Sequence, residues 1–415
     1  MTAPLHTRPL RLLADANIPF LHEAFDRYGT VEVRPGAAIL PGTLAETDIL
    51  LVRSVTPVNE ELLAGTPVRF VGTATAGTDH VDTDWLAAQG ITFASAPGSN
   101  AQSVVEYVLA ALIETHLGGN RLVGTLSGKT VGVVGCGQVG GRLAERLPCL
   151  GCRVLACDPP LAEAAEATGE AHAFVSLERI LDEADIVTLH TPLTRTGPHP
   201  TYHLIGEREL ERLAGRKVLL VNAARGAVVD NRALRDALER EMLGDAVLDV
   251  WENEPTPDPD LMPLVDIGTP HIAGYAYDGK VAGTTMLVDA LDTWLRVQPD
   301  EAIRFPDGIP TPWDAEEVLE PDEPLVIRRR KSPWDHMAEF VLGGLLHGAY
   351  DIDEDEYRFR KLEDLPEAEH AAYFRELRKT YPKRRHFDRF TVVSEVPEHL
   401  CDAVTKGLGF KIKQR

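Results

Sequence analysis

The chain has 415 residues, enough for two or three domains that each bury a core, and its 44% hydrophobic and 26% charged residues are ordinary globular usage. A net charge of −22 argues against nucleic acid and anionic membranes as partners. No apolar run approaches the length of a membrane span, and no signal peptide is readable in the first twenty residues.

Short β-rich runs alternate with helical stretches through the first hundred residues. Strands are predicted in the segments LRLLADA, TVEVRPG, DILLVRS, VRFVGTATAG and ITFASAP. This alternation is typical of a parallel, doubly wound sheet. Ser54 and Thr75 follow or end predicted strands, so we expect them at the carboxyl edge of the sheet, where ligands bind. The simpler alternative for each is a hydroxyl that satisfies local backbone.

A long helix over Ala101–Leu117, with Asn100 as its N-cap, is predicted to join this lobe to a second one. The second lobe continues the alternation, and a helix over Gly279–Val297 is long enough to return to the first lobe, which makes the first lobe discontinuous. Strands of the second lobe are predicted in KTVGVVG, CRVLACD, AHAFVS, DIVTLH, KVLLVNA, DAVLDV and VDIGTP.

A dinucleotide-binding fingerprint opens the second lobe. Gly135, Gly137 and Gly140 form a GxGxxG between a predicted strand and a predicted helix, and Asp158 ends the next strand. In that context the glycines let backbone approach a pyrophosphate at a helix N-terminus, and Asp158 accepts hydrogen bonds from the adenosine ribose. The carboxylate would repel a 2′-phosphate, which favours NAD over NADP. The alternative is a glycine-rich turn without a ligand.

Three residues behind the fingerprint suit hydride-transfer chemistry: Arg225 in NAARGAVVD, Glu254 in DVWENEP and His271 in TPHIAGY. The arginine can hold a substrate carboxylate, the imidazole can exchange the hydroxyl proton, and the glutamate can orient the imidazole and favour its charged form. Taken singly, a Pro-His turn or an Arg-Gly pair is usually structural. Together they predict a nicotinamide-dependent 2-hydroxyacid dehydrogenase.

The C-terminal part has a different composition. Pro299–Pro324 is rich in proline and acidic residues and is predicted to be a linker. Helical tracts near Pro333–Tyr350 and Pro366–Tyr381 and the β-rich FDRFTVVS follow it. The basic run Arg328–Lys331 is interpreted as a solvated or interface patch.

No metal site or disulfide is predicted. The acidic run Asp351–Glu356 lacks the glycine of a calcium loop and has Leu362 at its twelfth position. The five cysteines indicate a reducing compartment, and the Cys149–Cys152 pair falls where small apolar residues pack.

A family resemblance rests on the segments VRSVT, FVGTATAGTDHVD, APGSNAQSVVEY, VGVVGCGQVGGRL, CDPP, HTPL, NAARGAVVD, LDVWENEP and HIAGY, with an added C-terminal unit. The chain resembles the erythronate-4-phosphate dehydrogenase family of the D-2-hydroxyacid dehydrogenase superfamily. The resemblance implies NAD-dependent oxidation of 4-phospho-D-erythronate to 2-oxo-3-hydroxy-4-phosphobutanoate in pyridoxal 5′-phosphate biosynthesis, by a cytoplasmic homodimer. The family often has cysteine where this chain has Ala224, and the stretch Pro306–Pro324 has no match.

The resemblance also assigns roles to individual residues. It implies substrate contacts at Ser54 and Thr75 with Tyr275 beside them, and Arg53 is our own addition to that group. It implies cofactor contacts at Gln138, Val139, Asp158, Thr191, Asp249 and Gly274.

The resulting expectation is an α/β chain with two doubly wound, Rossmann-like lobes and a smaller α+β C-terminal domain. Residues 1–100 and 273–298 form the substrate-binding domain, 101–272 the NAD-binding domain, 299–324 the linker and 325–415 the dimerisation domain. Two alternatives remain: a dehydrogenase for another 2-hydroxyacid such as 3-phosphoglycerate, and a non-catalytic NADH-sensing protein. The complete set of Arg225, Glu254 and His271 argues against the second.

Overall fold

The computed structural model describes residues 9–117, 126–297, 313, 324–329 and 337–413. Most of the predicted linker therefore lies outside the described residues. Contacts between Cα atoms divide the chain into two compact units, Met1–Asn100 with Tyr277–Asp322 and Ala101–Ala276 with Glu323–Arg415.

The first unit is built on a five-stranded parallel sheet with the order β2-β1-β3-β4-β5. All five predicted strands are present, and short helices connect them as expected. The strands are β1 (Leu10–Asp15), β2 (Gly29–Arg34), β3 (Ile49–Val52), β4 (Phe70–Thr73) and β5 (Thr92–Ala94); the helices are α1 (Leu21–Phe25), α2 (Glu60–Leu63) and α3 (Thr83–Ala88).

Both faces of this sheet are covered, which explains why β3 and β4 are buried along their whole length. Successive side chains of a strand point to opposite faces. Accordingly Leu51 packs in one apolar cluster and its neighbour Leu50 in another. The first cluster includes Leu287 and Leu291 of the returning helix, which runs over Tyr277–Arg296. Burial of each such leucine contributes about 1.5–3 kcal/mol.

The second unit contains a six-stranded parallel sheet with the order β11-β10-β9-β8-β6-β7. Its strands are β6 (Thr130–Val134), β7 (Arg153–Cys157), β8 (Ile186–Leu189), β9 (Leu219–Asn222), β10 (Asp245–Leu248) and β11 (Ile267–Gly268). Its helices before β11 are α4 (Ala101–Leu117), α5 (Gly140–Arg146), α6 (Pro159–Thr168), α7 (Leu177–Glu183), α8 (Glu207–Leu213) and α9 (Asn231–Glu239). The returning helix of the first unit is α10. Because the strand order reverses between β6 and β8, the carboxyl ends of these two strands mark the ligand crevice of such a fold.

One predicted strand of this unit is wrong. Residues 171–176, the segment AHAFVS, form no strand. The segment runs past edge strand β7 and makes a backbone hydrogen bond to it where Val175 N–H donates to Ala156 at 2.8 Å. The Ser176 side chain then accepts from the Arg179 amide as the N-cap of α7, so a helix begins directly after this segment.

The C-terminal residues form a small three-stranded parallel sheet, ordered β12-β13-β14, and three helices. These elements are β12 (Val326–Ile327), α11 (Ala338–Leu346), α12 (Ile352–Arg360), α13 (Glu367–Lys379), β13 (Thr391–Val392) and β14 (Lys411–Ile412). Apolar residues of α11 such as Leu345 share one core with Val108 and Leu112 of α4. The C-terminal segment is therefore packed into the same body as the six-stranded sheet.

The acidic run Asp351–Glu356 begins α12. Asp351 accepts a hydrogen bond from the Glu354 amide as N-cap, and Asp353, Glu354 and Asp355 occupy the first turn. Negative charge at a helix N-terminus is stabilised by the helix dipole. The run is thus explained by helix chemistry.

All five cysteines are free thiols. Burial raises the pKa of Cys152 to about 12 and that of Cys157 to about 11, so neither is a thiolate at neutral pH. Among the described residues, no helix combines the length and apolar character needed to cross a membrane.

Candidate active site

The carboxyl ends of three adjacent strands carry the predicted catalytic residues. Arg225 follows β9, Glu254 lies in the loop after β10, and His271 follows β11. These strands are neighbours in the order β11-β10-β9, so all three loops leave the same edge of one sheet.

Glu254 and His271 form a hydrogen-bonded pair. The imidazole Nδ1 lies 2.8 Å from one carboxylate oxygen of Glu254, and the other oxygen accepts from the Trp251 amide at 2.9 Å. Burial opposes ionisation of Glu254, but the hydrogen bond and charge of His271 outweigh it and hold the pKa of Glu254 below its usual value. An ionised Glu254 makes Nδ1–H the donor, which leaves Nε2 to exchange protons.

The turn that carries His271 is held by a buried polar chain. His271 has a φ of 59°, in the left-handed region, and its amide donates to the Asp249 carbonyl at 2.7 Å. The Asp249 carboxylate accepts from the Ile272 and Ala273 amides at 2.7 and 3.0 Å and from the Thr269 hydroxyl at 2.7 Å. The nearly full burial of Asp249 raises its pKa. Asp249 therefore stabilises the turn that carries His271. Its contact with a cofactor stays a prediction.

Arg225 is positioned by its neighbours in the NAARG loop. Buried Asn222, at the end of β9, donates to the Arg225 carbonyl at 3.0 Å and accepts from the Ala224 amide at 3.1 Å. A Cβ on Gly226 would lie 2.0 Å from the Trp251 carbonyl oxygen, so only glycine allows this close approach. Since the Trp251 amide also binds Glu254, the loops that carry the two residues are in contact.

The three fingerprint glycines each meet a different steric requirement. Gly135 has a φ of 86°, and a Cβ there would lie 2.8 Å from the His190 carbonyl. A Cβ on Gly140 would lie 1.9 Å from the Gly135 carbonyl oxygen. No atom of the described residues lies within 4 Å of a Cβ built on Gly137, so space is open where a pyrophosphate would approach. Gly135 allows the turn, Gly137 leaves space open and Gly140 allows the helix to pack closely. This combination fits a bound dinucleotide.

Asp158 ties the fingerprint to the next strand. One carboxylate oxygen accepts from the Cys136 amide at 2.8 Å, and the other accepts from Leu161 as the N-cap of α6. After β8, across the point where strand order reverses, the Thr191 hydroxyl and His190 Nδ1 are buried without a partner among the described residues. Burial lowers the pKa of His190 to about 3, so this ring is neutral at physiological pH.

The remaining predicted cofactor residues lie in the turn of the glycine fingerprint or in the turn that follows His271. Gln138 is exposed beside Gly137, and partly buried Val139 packs against the core that contains β6 and α4. Gly274 follows Ala273 in the turn after His271.

The predicted substrate residues of the first unit lie at the carboxyl edge of its own sheet. Ser54 is exposed after β3. Arg53 donates to the Ala74 carbonyl at 3.3 Å. Thr75 follows β4, where its hydroxyl donates to the Gly77 carbonyl at 2.9 Å and lies 2.7 Å from the Thr73 hydroxyl.

One residue beside the site was missed by sequence reasoning. Arg378 of α13 donates through Nε to the Tyr275 hydroxyl at 3.0 Å. An arginine in a charged C-terminal helix has no motif around it. Its separation of 103 residues from Tyr275 hides the pairing until the chain is folded.

Two other groups of side chains have the spacing of metal ligands, Glu114 with His347 and Asp353, and His203 with Asp230 and Glu252. In the second group His203 contacts Glu252 at 2.9 Å through one nitrogen and Asp230 at 3.5 Å through the other. These are ordinary ion-pair geometries, and we assign no metal to either group.

Comparison with known proteins agrees with the geometry. Residues 112–273 match the family model of the D-isomer specific 2-hydroxyacid dehydrogenase NAD-binding domain, and residues 328–406 match a domain of unknown function, DUF3410. The erythronate-4-phosphate dehydrogenase of Salinibacter ruber is 48% identical over 97% of this chain and 99% of its own length. The chain belongs to the erythronate-4-phosphate dehydrogenase family. The Azotobacter vinelandii member of the family is 45% identical over 92% of this chain and 94% of its own length.

Solved structures extend the likeness of this family member to the wider superfamily. A D-lactate dehydrogenase from Aquifex aeolicus, complexed with NAD and lactic acid, is 25% identical with a TM-score of 0.57 and covers 69% of this chain and 95% of its own. A glyoxylate reductase from Paecilomyes thermophila has the same identity and TM-score, and covers 70% and 96%. The predicted α/β fold and dehydrogenase class are therefore confirmed.

Proposed function

We propose that the chain oxidises 4-phospho-D-erythronate to 2-oxo-3-hydroxy-4-phosphobutanoate with NAD, as a step of pyridoxal 5′-phosphate biosynthesis. The observation that carries the proposal is the 2.8 Å pair of His271 and Glu254 at the carboxyl edge of a sheet that also bears the dinucleotide fingerprint. Near-complete coverage by relatives of that name supports the substrate.

The glycine turn and Asp158 are the residues that would hold NAD. Amides at the start of α5 would donate to the pyrophosphate, and the Asp158 carboxylate, which already binds the Cys136 and Leu161 amides, would accept from the ribose hydroxyls with its remaining lone pairs. Gln138, Val139, Thr191, Asp249 and Gly274 are the further contacts we propose. When bound, NAD accepts the hydride from the substrate C2.

His271 acts as the general base in this mechanism. Its Nε2 takes the C2 hydroxyl proton during oxidation and returns it in reduction. Glu254 stabilises the imidazolium that forms, because its carboxylate is already ionised and bonded to Nδ1. Arg225 binds the substrate carboxylate with its planar fork and polarises the developing carbonyl.

Ser54, Thr75, Arg53 and Tyr275 are the proposed substrate-binding residues. The hydroxyls of Ser54 and Thr75 can donate to anionic oxygens, and Arg53 adds positive charge at the same sheet edge. The Tyr275 phenol lies in the HIAGY turn, four residues after the general base.

Initial rates of NADH formation test the proposal. The purified chain should oxidise 4-phospho-D-erythronate far faster than 3-phosphoglycerate under the same conditions. A preference for 3-phosphoglycerate would assign the chain to that reaction. No NADH formation across a panel of 2-hydroxyacids, together with tight NADH binding, would support the non-catalytic sensor instead.

We further propose a cytoplasmic homodimer. Closed two-fold assembly is the commonest oligomeric state, and the C-terminal segment adds a helical surface beyond the catalytic sheet. Because this segment shares a core with α4, its deletion would damage the fold. Light scattering on the whole chain is the appropriate test, and a mass near the single-chain value of 45.4 kDa contradicts the dimer.

A further inference from the structure

We infer that Arg378 is a specificity-determining residue that binds the phosphate of the substrate. The inference rests on the proposed function, because it names the group that recognises the end of the substrate remote from C2. It also gives the C-terminal segment, whose family model is a domain of unknown function, a part in the active site.

Arg378 lies next to the catalytic turn. Its Nε donates to the Tyr275 hydroxyl at 3.0 Å, and its guanidinium carbon is 5.4 Å from the centre of the Tyr275 ring. Its positive charge is also one of the causes, after burial and the contacts with His271 and Trp251, that set the pKa of Glu254. The guanidinium therefore acts electrostatically on the residue that orients the general base.

The Arg378 guanidinium keeps hydrogen-bond donors for a ligand. Within the part of the chain that the structure describes, Arg378 makes no ion pair, although it is only partly exposed. Arg360 on the preceding helix has two carboxylate partners, Glu356 and Glu363. A guanidinium has five N–H donors, and the bond to Tyr275 engages one of them. A half-buried guanidinium with unused N–H donors is suited to an anionic ligand.

The segment that follows Arg378 is fixed against the same turn. The Tyr381 ring packs edge-on against Tyr275 at 5.8 Å, and its hydroxyl donates to buried Asp355 at 2.7 Å. Arg384 donates to the Ala273 carbonyl at 2.5 Å. Two of these contacts, from Tyr381 and Arg384, hold the segment after α13 on the turn after His271, and the bond to Asp355 fixes Tyr381 itself, so that little side-chain ordering remains when a ligand binds.

The substrate has two anionic ends, and the proposed mechanism uses only one. Arg225 takes the carboxylate next to C2, which leaves the phosphate two carbons further along. Arginine binds phosphate oxygens through paired charge-assisted hydrogen bonds. The Tyr275 hydroxyl accepts one of the Arg378 donors, which fixes the guanidinium beside the turn after His271. The pair therefore presents donors that an uncharged substituent could not satisfy.

A purely structural role for Arg378 predicts a different result. If the arginine only ties α13 to the Tyr275 turn, its loss should weaken all substrates equally and lower thermal stability. If it binds phosphate, its loss should be selective for the phosphorylated substrate. The readout that separates the two is the ratio of kcat/KM for 4-phospho-D-erythronate to that for D-erythronate.

The experiment compares R378Q, R378K and the control R375Q. Arg375 is exposed on the same helix and the structure gives it no side-chain partner within the described residues. We expect R378Q to raise KM for the phosphorylated acid about 10- to 100-fold, the size of a lost hydrogen bond to a charged group, and to lower kcat/KM for D-erythronate by a much smaller factor. R378K should recover part of the loss, and R375Q should match the wild type.

Binding of inorganic phosphate gives a second readout that needs no turnover. Calorimetric titration of the NAD complex with phosphate should show a weaker Kd for R378Q than for R375Q. Equal losses on both acids, or an unchanged phosphate Kd in a variant that melts at the wild-type temperature, overturn the inference. A wild type that binds phosphate through Arg378 but oxidises neither acid would refute the proposed function and leave this site standing.

Discussion

Arg384 donates a hydrogen bond to the carbonyl of Ala273, two residues beyond His271, and the separation between donor and acceptor is 2.5 Å. A second bond from the same nitrogen reaches the Ser103 carbonyl of α4 at 3.0 Å. The buried guanidinium thus joins the C-terminal segment, the long helix and the catalytic turn. The C-terminal segment, for which the sequence predicted dimer contacts, therefore also supports the turn that carries His271.

Replacing His271 by alanine should reduce kcat by at least the 10²–10⁴-fold that general base catalysis typically supplies. Because the fingerprint lies in other loops, the affinity for NADH should hardly change. Steady-state rates and NADH fluorescence titration measure the two effects. Normal turnover in H271A would remove His271 from the mechanism.

Replacing Glu254 by glutamine keeps the size of the side chain and its bond to Trp251 but removes the negative charge. We expect a large fall in kcat with little change in KM, because the charge stabilises an imidazolium that forms only during reaction. The ionised pair is lost as pH falls through the lowered pKa of Glu254, so the acidic limb of the rate profile should differ in E254Q. Superimposable kcat profiles of the two proteins would contradict this role.

The glycines offer a matched pair of variants. A Cβ at position 140 would collide with the Gly135 carbonyl oxygen at 1.9 Å, so G140A should be destabilised by several kcal/mol or fail to fold. G137A should fold normally, since the described residues leave its Cβ free, yet bind NAD weakly because the methyl group occupies the approach of the pyrophosphate. Thermal unfolding and NAD titration distinguish them. Wild-type NAD affinity in G137A would argue against the proposed cofactor position.

Replacing Asp158 by asparagine should relax the choice of cofactor. Asparagine can still accept a hydrogen bond as the N-cap of α6, so the fold should survive with a loss of about 1 kcal/mol or less. The repulsion of a 2′-phosphate would disappear, and the ratio of kcat/KM for NADP to that for NAD should rise. The comparison requires both cofactors at saturating substrate. An unchanged ratio would mean that other residues discriminate.

The free energy of unfolding should decrease as pH rises, because of Glu106. Its complete burial raises the pKa to about 8, although hydrogen bonds from the Phe387 amide and Gln102 and the charge of Arg384 oppose the shift, and Asp388 adds to it. The folded chain therefore keeps a proton that the unfolded chain releases above an ordinary pKa near 4.5. The stabilisation is complete below pH 4.5 and is lost as pH rises through about 8.

The slope in that window is at most about 1.4 kcal/mol per pH unit for one proton. The E106Q variant has no proton to release, so denaturant unfolding between pH 5 and pH 8 should show a flatter dependence than the wild type. Identical slopes would mean that Glu106 is ionised in the folded chain.

Local sequence patterns were sufficient where the decisive contacts are close along the chain. The GxGxxG between β6 and α5, the span of α4 and the placement of Arg225, Glu254 and His271 after strands all follow from hydrophobic periodicity and turn residues. The segment AHAFVS was misjudged because its pattern suits a strand, while its position past edge strand β7 leaves it one ladder bond. The composition of the acidic run before Arg358 did not reveal its place in the first turn of α12, which depends on the Asp351 cap.

The amino-acid sequence alone determined the fold class and the positions of the glycine turn, Arg225, Glu254 and His271 after their strands, because each depends on backbone geometry and chemistry within short segments. The tertiary structure decided which residues support that set. Asp249 under the His271 turn, Arg378 on Tyr275 and Arg384 on Ala273 join positions far apart in the chain. Such pairs carry no periodicity or spacing, since they exist only after burial of the core brings α13 and its following segment onto the catalytic sheet.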